Sequence, residues 1–385
     1  MVETAPSALD ELLDNARIRS IRPVFIEEQA RRPKVAIRRA FLHDPVAPPL
    51  PTSRGRGLVT IEVAASEEPQ AIARYLASAS AEVDYAYVAH PRRMFAAARD
   101  PLLSRQWAHT AVRLGDARKR AGFKDASAII VGVADTGVDT KHPDLSSVVS
   151  EYKNFVKGES GRDYEGHGTH VAGILAAGLN NGIGIAGACA ARLLVLKVLP
   201  SRAEWDAAGY YRALAYCVGK VRVLNLSLGD ETMDRAERDL IADLIDAGIV
   251  VVAAMGNAAT AVKQYPAALD GVCAVAALDH ADRRAPFSNT GSHISVAAPG
   301  VAIISTTPTY SYKNGDRLYD AFDGTSAAAP HVAAAAALVL AKDPTLSPAQ
   351  VIRKLQSSAT RASSMKKRPS PTLGWGCLDI DAALR

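Results

Sequence analysis

Short apolar segments alternate with segments of helical spacing through most of this chain, and this alternation limits its possible folds more than any other feature. The apolar segments are AIIVGVAD, ARLLVLKVL, VRVLNLSLG, IVVVAAMGN, VCAVAALD and ISVAAPG. Between them, HVAGILAAGL, GYYRALAYCVG and ERDLIADLIDAG carry apolar residues at helical intervals. Strands that are apolar on both faces are typical of parallel sheets covered by helices. Residues 100–385 are therefore predicted to form an α/β domain, a parallel sheet flanked by helices on both faces.

The first hundred residues follow a different pattern. Residues 1–57 are rich in Arg and Pro and end in PVAPPLPTSRGRG, which predicts a partly flexible N-terminal segment. The next three segments, LVTIEVAA, EEPQAIARYLASAS and VDYAYVAH, are typical of a strand, a helix and a strand. Residues 58–99 are therefore predicted to be a small α/β unit that ends in a linker.

Composition argues against several classes of protein. The net charge is +5, and the basic residues do not line a helix with interleaved aromatics, which argues against a nucleic-acid partner. The four cysteines form no CxxC pair, so buried thiols are expected rather than a zinc site. Because we see neither the apolar core of a secretory signal nor about 18 consecutive apolar residues, we expect no membrane partner and a cytoplasmic location, with export by another route left open.

Polar residues stand where the predicted strands end and the predicted helices begin. Asp135, Ser227 and Asn257 follow three apolar strands, whereas His167 and Ser326 open two helices. The carboxyl ends of parallel strands form the ligand crevice of such sheets, and helix starts offer unpaired N–H groups. We therefore expect these five side chains to lie at one edge of the sheet.

These residue types suit nucleophilic catalysis. A serine hydroxyl needs a base, so His167 would take the proton of Ser326, and Asp135 would hold the imidazole in one tautomer. Asn257 would donate to the oxyanion that forms on an attacked carbonyl. Because a lone serine at a helix start is usually only an N-cap, the prediction depends on the four residues together.

Three other motifs point to different chemistry and lack part of their pattern. The Asp-Thr-Gly at 135–137 also occurs in aspartic proteases, but the chain has no second copy. GIGIAG matches a dinucleotide fingerprint, yet it follows no predicted strand. His167 and His170 lack the glutamate of a zinc-protease motif, so His170 is expected to be structural, as is His331.

The motifs resemble those of the subtilisin-like serine proteases. The resemblance runs in order through VADTGVDTKHPDL, GHGTHVAGILAA, LNLSLG, VVAAMGN, FSNTG, ISVAAPG, DGTSAAAPHVAAAAAL and GWGCLDIDAAL, and it covers about residues 125–385. It implies a triad of Asp135, His167 and Ser326 with Asn257 as the oxyanion donor. It also implies a substrate-binding edge, to which we assign Ser227, Leu228, Gly229, Asp230 and Gly256.

The same resemblance implies a role for the N-terminal unit. Members of this family commonly carry a small α/β propeptide that assists folding and inhibits the crevice, and residues 58–99 match it in position and pattern. The chain would then be a zymogen that processes itself near HPRRMFAAARDP, with its own N-terminal domain as an intramolecular inhibitor. An unrelated accessory domain is the alternative.

A structural calcium ion is a further implication of the resemblance, although the chemistry needs no cofactor. The ligands would be the side chains of Asp144, Asn181 and Gln106 and the carbonyl groups of Leu179, Ile183 and Ile185. One extra residue, Gly178, departs from the family pattern, so a plain loop remains the alternative.

Acidic residues near the expected cleft bear on specificity. Glu204, Asp206 and Asp230 predict a preference for basic side chains on the amino-terminal side of the cleaved bond, whereas solvated surface charge is the simpler interpretation. The sequence as a whole predicts a serine endopeptidase acting on proteins or peptides. The alternative is a silent or permanently inhibited protease scaffold with a binding or regulatory role.

Overall fold

The computed structural model describes residues 15, 17–23, 59–79, 100–310 and 317–385. The chain divides into two compact units, residues 1–95 and 96–385. In the first unit, strand β1 (Ile18–Pro23) pairs antiparallel with β2 (Val59–Val63), and helix α1 (Pro69–Ala79) follows. The helix buries Ile72 and Leu76, which lie one turn apart on the same face.

Strand β1 lies inside the 1–57 segment, for which the sequence predicted partial flexibility and no strand. Its sequence, IRSIRP, alternates isoleucine with polar residues over too short a stretch to be distinguished from an Arg-rich loop. The strand becomes evident only through its partner β2, about forty residues later in the chain. The second predicted strand of the small unit, VDYAYVAH, and the linker at 90–99 lie outside the described residues.

The second unit contains nine strands and eight α-helices among its described residues. Its strands are β3 (Ile130–Asp135), β4 (Val149–Asn154), β5 (Arg192–Lys197), β6 (Val223–Leu226), β7 (Val250–Ala254), β8 (Cys273–Leu278), β9 (Ile294–Pro299), β10 (Ile303–Thr306) and β11 (Tyr319–Phe322). After a 3-10 turn at Leu103–Arg105, its helices are α2 (Trp107–Ala111), α3 (Leu114–Arg118), α4 (His167–Ala176), α5 (Ala207–Tyr216), α6 (Arg235–Asp246), α7 (Thr325–Lys342), α8 (Pro348–Ser358) and α9 (Ile380–Ala383).

Seven of these strands form one parallel sheet in the order β4-β5-β3-β6-β7-β8-β9. Strands β3, β6, β7, β8 and β9 are almost entirely buried, as their continuous apolar character predicted. One face of the sheet packs against α4, α7 and α8, and the other against α5 and α6. The predicted α/β class, with helices on both faces of a parallel sheet, is confirmed. Strands β10 and β11 form a separate antiparallel pair.

Helix α7 is the centre of this fold. It lies against β6, β7, β8 and β9, and alanine side chains allow the helix to approach the sheet closely. Its 18 residues are apolar enough to span a membrane by composition, which the sequence interpretation overlooked, but 83% of that stretch is buried. The helix is therefore part of the protein core.

The order of strands brings the predicted polar residues to one edge. Strands β3, β6 and β7 are neighbours, and Asp135, Ser227 and Asn257 lie at or just beyond their carboxyl ends. Helix α4 begins at His167, and α7 begins at Thr325, one residue before Ser326. In an open parallel sheet this edge is where ligands bind.

The four cysteines are buried, free thiols, as expected from their spacing. Burial raises the pKa of Cys189 to about 12, and the same cause raises the pKa of Cys217 to about 12. A thiol is nucleophilic only when it is deprotonated, so these groups do not compete with a serine nucleophile.

Candidate active site

Asp135 and His167 form a short hydrogen bond at the strand edge. Oδ1 of Asp135 lies 2.6 Å from Nδ1 of His167, and the carboxylate is fully buried. The same oxygen accepts a hydrogen bond from the backbone N–H of Thr136 at 2.7 Å. Because a carboxylate only accepts, the hydrogen of the neutral imidazole resides on Nδ1, and Nε2 is left with a lone pair.

Two opposing effects set the pKa of His167. Burial by itself lowers the pKa, because it disfavours the charged imidazolium. The negative charge of Asp135 and the hydrogen bond that it accepts act in the other direction, and together with Asp163 and Glu165 they raise the pKa above the ordinary value. His167 is therefore a stronger base than a free imidazole.

Asp163 holds the start of the His167 helix, and sequence reasoning did not single it out. Its buried carboxylate accepts hydrogen bonds from the backbone N–H groups of Gly166 at 2.8 Å and Thr169 at 2.9 Å. It also accepts from Oγ1 of Thr136 at 2.8 Å. One side chain thus connects the helix start to the residue after Asp135. An acidic residue just before a helix is a recognisable N-terminal signal and could have indicated this role.

Ser326 lies in the first turn of α7, half-buried, and its hydroxyl donates to the carbonyl oxygen of Ser227 at 3.3 Å. The hydroxyl of Ser227 in turn donates to the carbonyl oxygen of Ser326 at 3.0 Å. Within the described part of the chain, no hydrogen bond joins Ser326 to His167. The structure therefore places Ser326 against the predicted substrate-binding edge, with its hydroxyl directed to the backbone. Hydrogen bonds of catalytic groups are often formed only when substrate is present.

Asn257 has a fixed orientation beside Ser326. Its Oδ1 accepts hydrogen bonds from the backbone N–H of Thr325 at 2.8 Å and from the Thr325 hydroxyl at 2.9 Å. Both donors engage the carbonyl end of the amide, so Nδ2 remains a donor. A Cβ atom placed on Gly324 would lie 3.5 Å from this Nδ2 and 3.8 Å from Cβ of Ser326. Glycine at 324 therefore keeps open the space between the amide and the serine.

Thr325 is a second residue that sequence reasoning missed. Besides orienting Asn257, its hydroxyl oxygen accepts a hydrogen bond from the backbone N–H of Gly256 at 3.1 Å. Gly256 has a positive φ of 90°, and a Cβ atom there would lie 2.6 Å from Nδ2 of Asn289. Glycine is thus required at 256 because the backbone has a positive φ and because a side chain would clash with Asn289. Both reasons are independent of any contact with substrate.

The predicted substrate-binding edge leads away from Ser326 towards Tyr265. Asn225 donates to the Ser227 hydroxyl at 3.0 Å, and Leu228 packs against the apolar core of this face. Farther along the chain, the N–H of Asp230 donates to the carbonyl oxygen of Tyr265 at 3.0 Å. The N–H of Tyr265 donates to the carbonyl oxygen of Asp230 at 2.8 Å. Backbone pairing therefore already occupies the far end of the edge. Gly229 adjoins it, since a Cβ atom there would lie 2.9 Å from the Tyr265 carbonyl oxygen.

Of the acidic residues predicted to set specificity, Glu204 and Asp230 are exposed and Asp206 is half-buried. Asp230 accepts from the N–H of Thr232 at 2.8 Å, which lowers the pKa of its carboxyl. Asp206 pairs with Arg212 at 3.4 Å. Glu204 is exposed and makes no hydrogen bond or ion pair with the described residues. No direct contact joins Glu204 to Asp230.

His170 and His331 have structural surroundings. His170 is buried, donates from Nε2 to the carbonyl of Ile303 at 2.9 Å and stacks on Phe322 with ring centroids 4.1 Å apart. Burial lowers the pKa of His170 to about 3 and that of His331 to about 4. Both rings are therefore neutral at physiological pH.

The residues expected to bind calcium are hydrogen-bonded to one another and to Tyr319. The two oxygens of the Asp144 carboxylate accept from Nδ2 of Asn181 at 2.8 Å, from the N–H of Ile185 at 3.0 Å and from the Tyr319 hydroxyl at 2.9 Å. Oδ1 of Asn181 accepts from the N–H of Ile183 at 2.8 Å. The side-chain oxygens of Asp144 and Asn181 thus accept from protein donors. Among the described residues, no donor contacts the carbonyl oxygens of Leu179, Ile183 and Ile185.

The rest of the same loop is also held by hydrogen bonds. Gln106 accepts from the N–H of Ala186 and donates to its carbonyl, each at 2.8 Å. Asp100 accepts from the N–H groups of Asn180 and Asn181, each at 2.9 Å. None of these hydrogen bonds involves Leu179. Among the described residues there is also no cluster of three acidic, histidine or cysteine side chains suited to a metal.

Comparison with known proteins identifies the family of this chain. Residues 126–376 match the Subtilase family. The chain is 40% identical over 265 residues to a subtilisin of Bacillus pumilus, which covers 67% of this chain and 91% of that protein. It is 40% identical over 273 residues to subtilisin DY of Bacillus licheniformis, which covers 68% of this chain and 92% of that protein. The structure resembles a protease of Pseudoalteromonas arctica with a TM-score of 0.67 and 27% identity, covering 75% of this chain and 99% of that one. The chain therefore belongs to the Subtilase family and is a subtilisin-like serine protease.

Proposed function

We propose that this protease is an endopeptidase in which Ser326 is the nucleophile, His167 the general base and acid, and Asp135 the group that orients His167. The observation that carries the proposal is the 2.6 Å hydrogen bond between the buried Asp135 carboxylate and Nδ1 of His167. It fixes the tautomer with a free lone pair on Nε2, and it raises the basicity of that nitrogen.

The reaction begins when the Ser326 hydroxyl leaves the Ser227 carbonyl and turns towards His167. Nε2 of His167 accepts the hydroxyl proton while Oγ attacks the peptide carbonyl carbon, and the charge moves to the carbonyl oxygen. Nδ2 of Asn257 donates a hydrogen bond to this oxyanion, a contact worth about 10²–10³-fold in kcat. The imidazolium then protonates the leaving amine as the C–N bond breaks, and water hydrolyses the acyl-enzyme by the same sequence of proton transfers.

We also propose that the N-terminal unit inhibits the protease and is removed by self-cleavage in the 90–99 linker. The support is its position ahead of the protease domain, together with the strand and helix found at Val59–Val63 and Pro69–Ala79. Such a chain would be made as an inactive precursor. A retained, uncleaved domain would instead correspond to a silenced protease.

Basic side chains on the amino-terminal side of the cleaved bond are the proposed substrate preference. Glu204 is an exposed carboxylate without a cationic partner among the described residues, and the lowered pKa of Asp230 keeps it anionic at neutral pH. Because both carboxylates are solvated, each is expected to make only a small contribution to binding. The proposed reaction needs no cofactor, because its proton transfers use only Ser326, His167, the substrate and water.

Replacing the nucleophile tests the proposed chemistry and the self-cleavage together. Ser326→Ala is expected to lower peptide hydrolysis by at least about 10⁴-fold, because no other group can form the acyl-enzyme. Intact-mass measurement should show wild type losing roughly its first 90–100 residues while Ser326→Ala stays whole. Ser357→Ala, which alters an exposed serine of α8, is the control. Full activity in Ser326→Ala would exclude the proposed reaction, whereas an active, uncleaved wild type would exclude only self-cleavage.

The pH dependence follows from the state of His167. Only the neutral imidazole can accept a proton, so kcat/KM should fall as pH decreases through the pKa of His167. This midpoint should lie above the free imidazole value of about 6.5, because Asp135 raises it. Asp135→Asn should lower the midpoint and reduce kcat by about 10⁴-fold. A profile that stays flat from acid to alkaline pH would contradict the assignment of His167.

Charge removal tests the proposed preference for basic substrates. Glu204→Gln and Asp230→Asn should each lower kcat/KM for peptides with Arg or Lys by about two- to fivefold relative to matched Leu peptides, since one solvated pair contributes up to about 1 kcal/mol. Asp239→Asn removes an equal charge from the exposed face of α6 and should leave this ratio unchanged. Wild-type cleavage that is equally fast after Phe or Leu would rule out the preference.

Chelation tests the loop around Asp144. EDTA is expected to leave the thermal unfolding midpoint unchanged, because protein donors already satisfy Asp144 and Asn181. Tyr319→Phe should lower the free energy of unfolding by about 1–3 kcal/mol, since a buried carboxylate loses a hydrogen-bond donor. Tyr164→Phe, whose hydroxyl contacts Ser160 on the surface, is the matched control. A midpoint that falls with EDTA and returns with calcium would show that the loop binds the ion.

A further inference from the structure

Lys197 is a fully buried lysine directly behind the proposed catalytic residues. It ends strand β5, stands opposite Asp135 in the pairing register of β3 and β5, and its side chain is 0% exposed. A buried ammonium group is costly unless hydrogen bonds and an opposite charge compensate for the lost water. The hydrogen-bond and ion-pair partners of Lys197 therefore indicate its role in the structure.

Those partners belong to the two segments that carry Asp135 and His167. Nζ donates to the carbonyl oxygen of Thr136 at 2.7 Å and to that of Arg162 at 3.0 Å. Thr136 directly follows Asp135 and donates its N–H to that carboxylate. Arg162 directly precedes Asp163, which holds the start of the His167 helix. One ammonium group thus fixes the backbone on both sides of the Asp135–His167 hydrogen bond.

Glu159 supplies the opposite charge and extends the connection. Its Oε2 lies 3.6 Å from Nζ of Lys197, and its side chain is only 5% exposed. The same carboxylate accepts hydrogen bonds from the N–H of Ser201 at 3.1 Å and from that of Arg202 at 3.0 Å. These residues begin the loop that carries Glu204 and Trp205. The ion pair therefore joins the Asp135 segment to the loop assigned to substrate binding.

We infer that Lys197 and Glu159 form a buried ion pair that positions Asp135 for catalysis and links it to the substrate-binding loop. Lys197 is a positioning residue, because it contacts the backbone and not the reacting atoms. Without it, the carbonyl groups of Thr136 and Arg162 lose their common donor, and Asp135 and His167 are no longer held at 2.6 Å. Displacements of about 1 Å at such distances can cost about 100-fold in rate. The inference rests on the proposed function.

The test compares Lys197→Met with the double variant Lys197→Met/Glu159→Gln. The single variant leaves a buried carboxylate unpaired and can fail to fold, whereas the double variant removes both charges. In either folded variant, kcat for a small chromogenic peptide should fall about 10- to 100-fold, since the alignment of Asp135 and His167 is lost. KM should stay within about twofold in Lys197→Met and should rise further in the double variant, because Glu159→Gln also weakens the hold on Ser201 and Arg202. Lys153→Met, which alters an exposed lysine paired with Glu151 on β4, should leave kcat unchanged.

A spectroscopic measurement separates positioning from mere stabilisation. The Nδ1 proton of His167, observed by proton NMR in a Ser326→Ala background, should lose its downfield position when Lys197 is replaced, because its hydrogen bond to Asp135 lengthens. A purely structural lysine would change the unfolding temperature but neither this signal nor kcat.

Two results would overturn the inference. If Ser326→Ala is inactive but the folded double variant keeps kcat within twofold of wild type and an unchanged Nδ1 proton, the positioning role is wrong and the proposed function stands. If Ser326→Ala is as active as wild type, the proposed function fails, and the inference fails with it.

Discussion

The buried hydrogen bond between Asp135 and His167 is the interaction on which the rest of the site depends. A buried carboxylate is costly without donors. His167 and Thr136 both donate to Oδ1 of Asp135, whereas its buried Oδ2 has no hydrogen-bond partner among the described residues. Asp163 and Lys197 hold the flanking backbone from opposite sides. The parallel sheet makes this arrangement possible, because its neighbouring strands β3, β6 and β7 end at one edge. Asp135, Ser227 and Asn257 lie at or just beyond these strand ends.

The fold and the location of the proposed catalytic residues could be predicted from the sequence because both follow local rules. Apolar strands alternating with helices indicate a covered parallel sheet, and polar residues at strand ends and helix starts indicate its crevice. Asp135, His167, Asn257 and Ser326 all stand at such positions. The direction of the Ser326 hydroxyl could not be predicted. Its hydrogen bond to the carbonyl oxygen of Ser227 depends on the side-chain rotamer, which no sequence pattern specifies.

The positioning residues could not be predicted in the same way, because their roles come from contacts between distant parts of the chain. Lys197 reaches a carbonyl group 61 residues away, and Tyr319 reaches Asp144 across 175 residues. The calcium expectation stays a prediction, because the hydrogen bonds of Asp144 to Asn181 and Tyr319 likewise become visible only in the folded chain. Strand β1 was missed similarly, since its partner lies across a long intervening segment.

The alanine-rich helix α7 has a consequence for how this protein can vary. Its residues 327–340 are all buried, and most of them are already the smallest side chain that a helix favours. Larger side chains would overpack the core, and glycine would weaken the helix that carries Ser326. Substitution in either direction therefore costs stability at these alanines. Changes of specificity are expected to be tolerated better in the exposed loops than in the helix that carries Ser326.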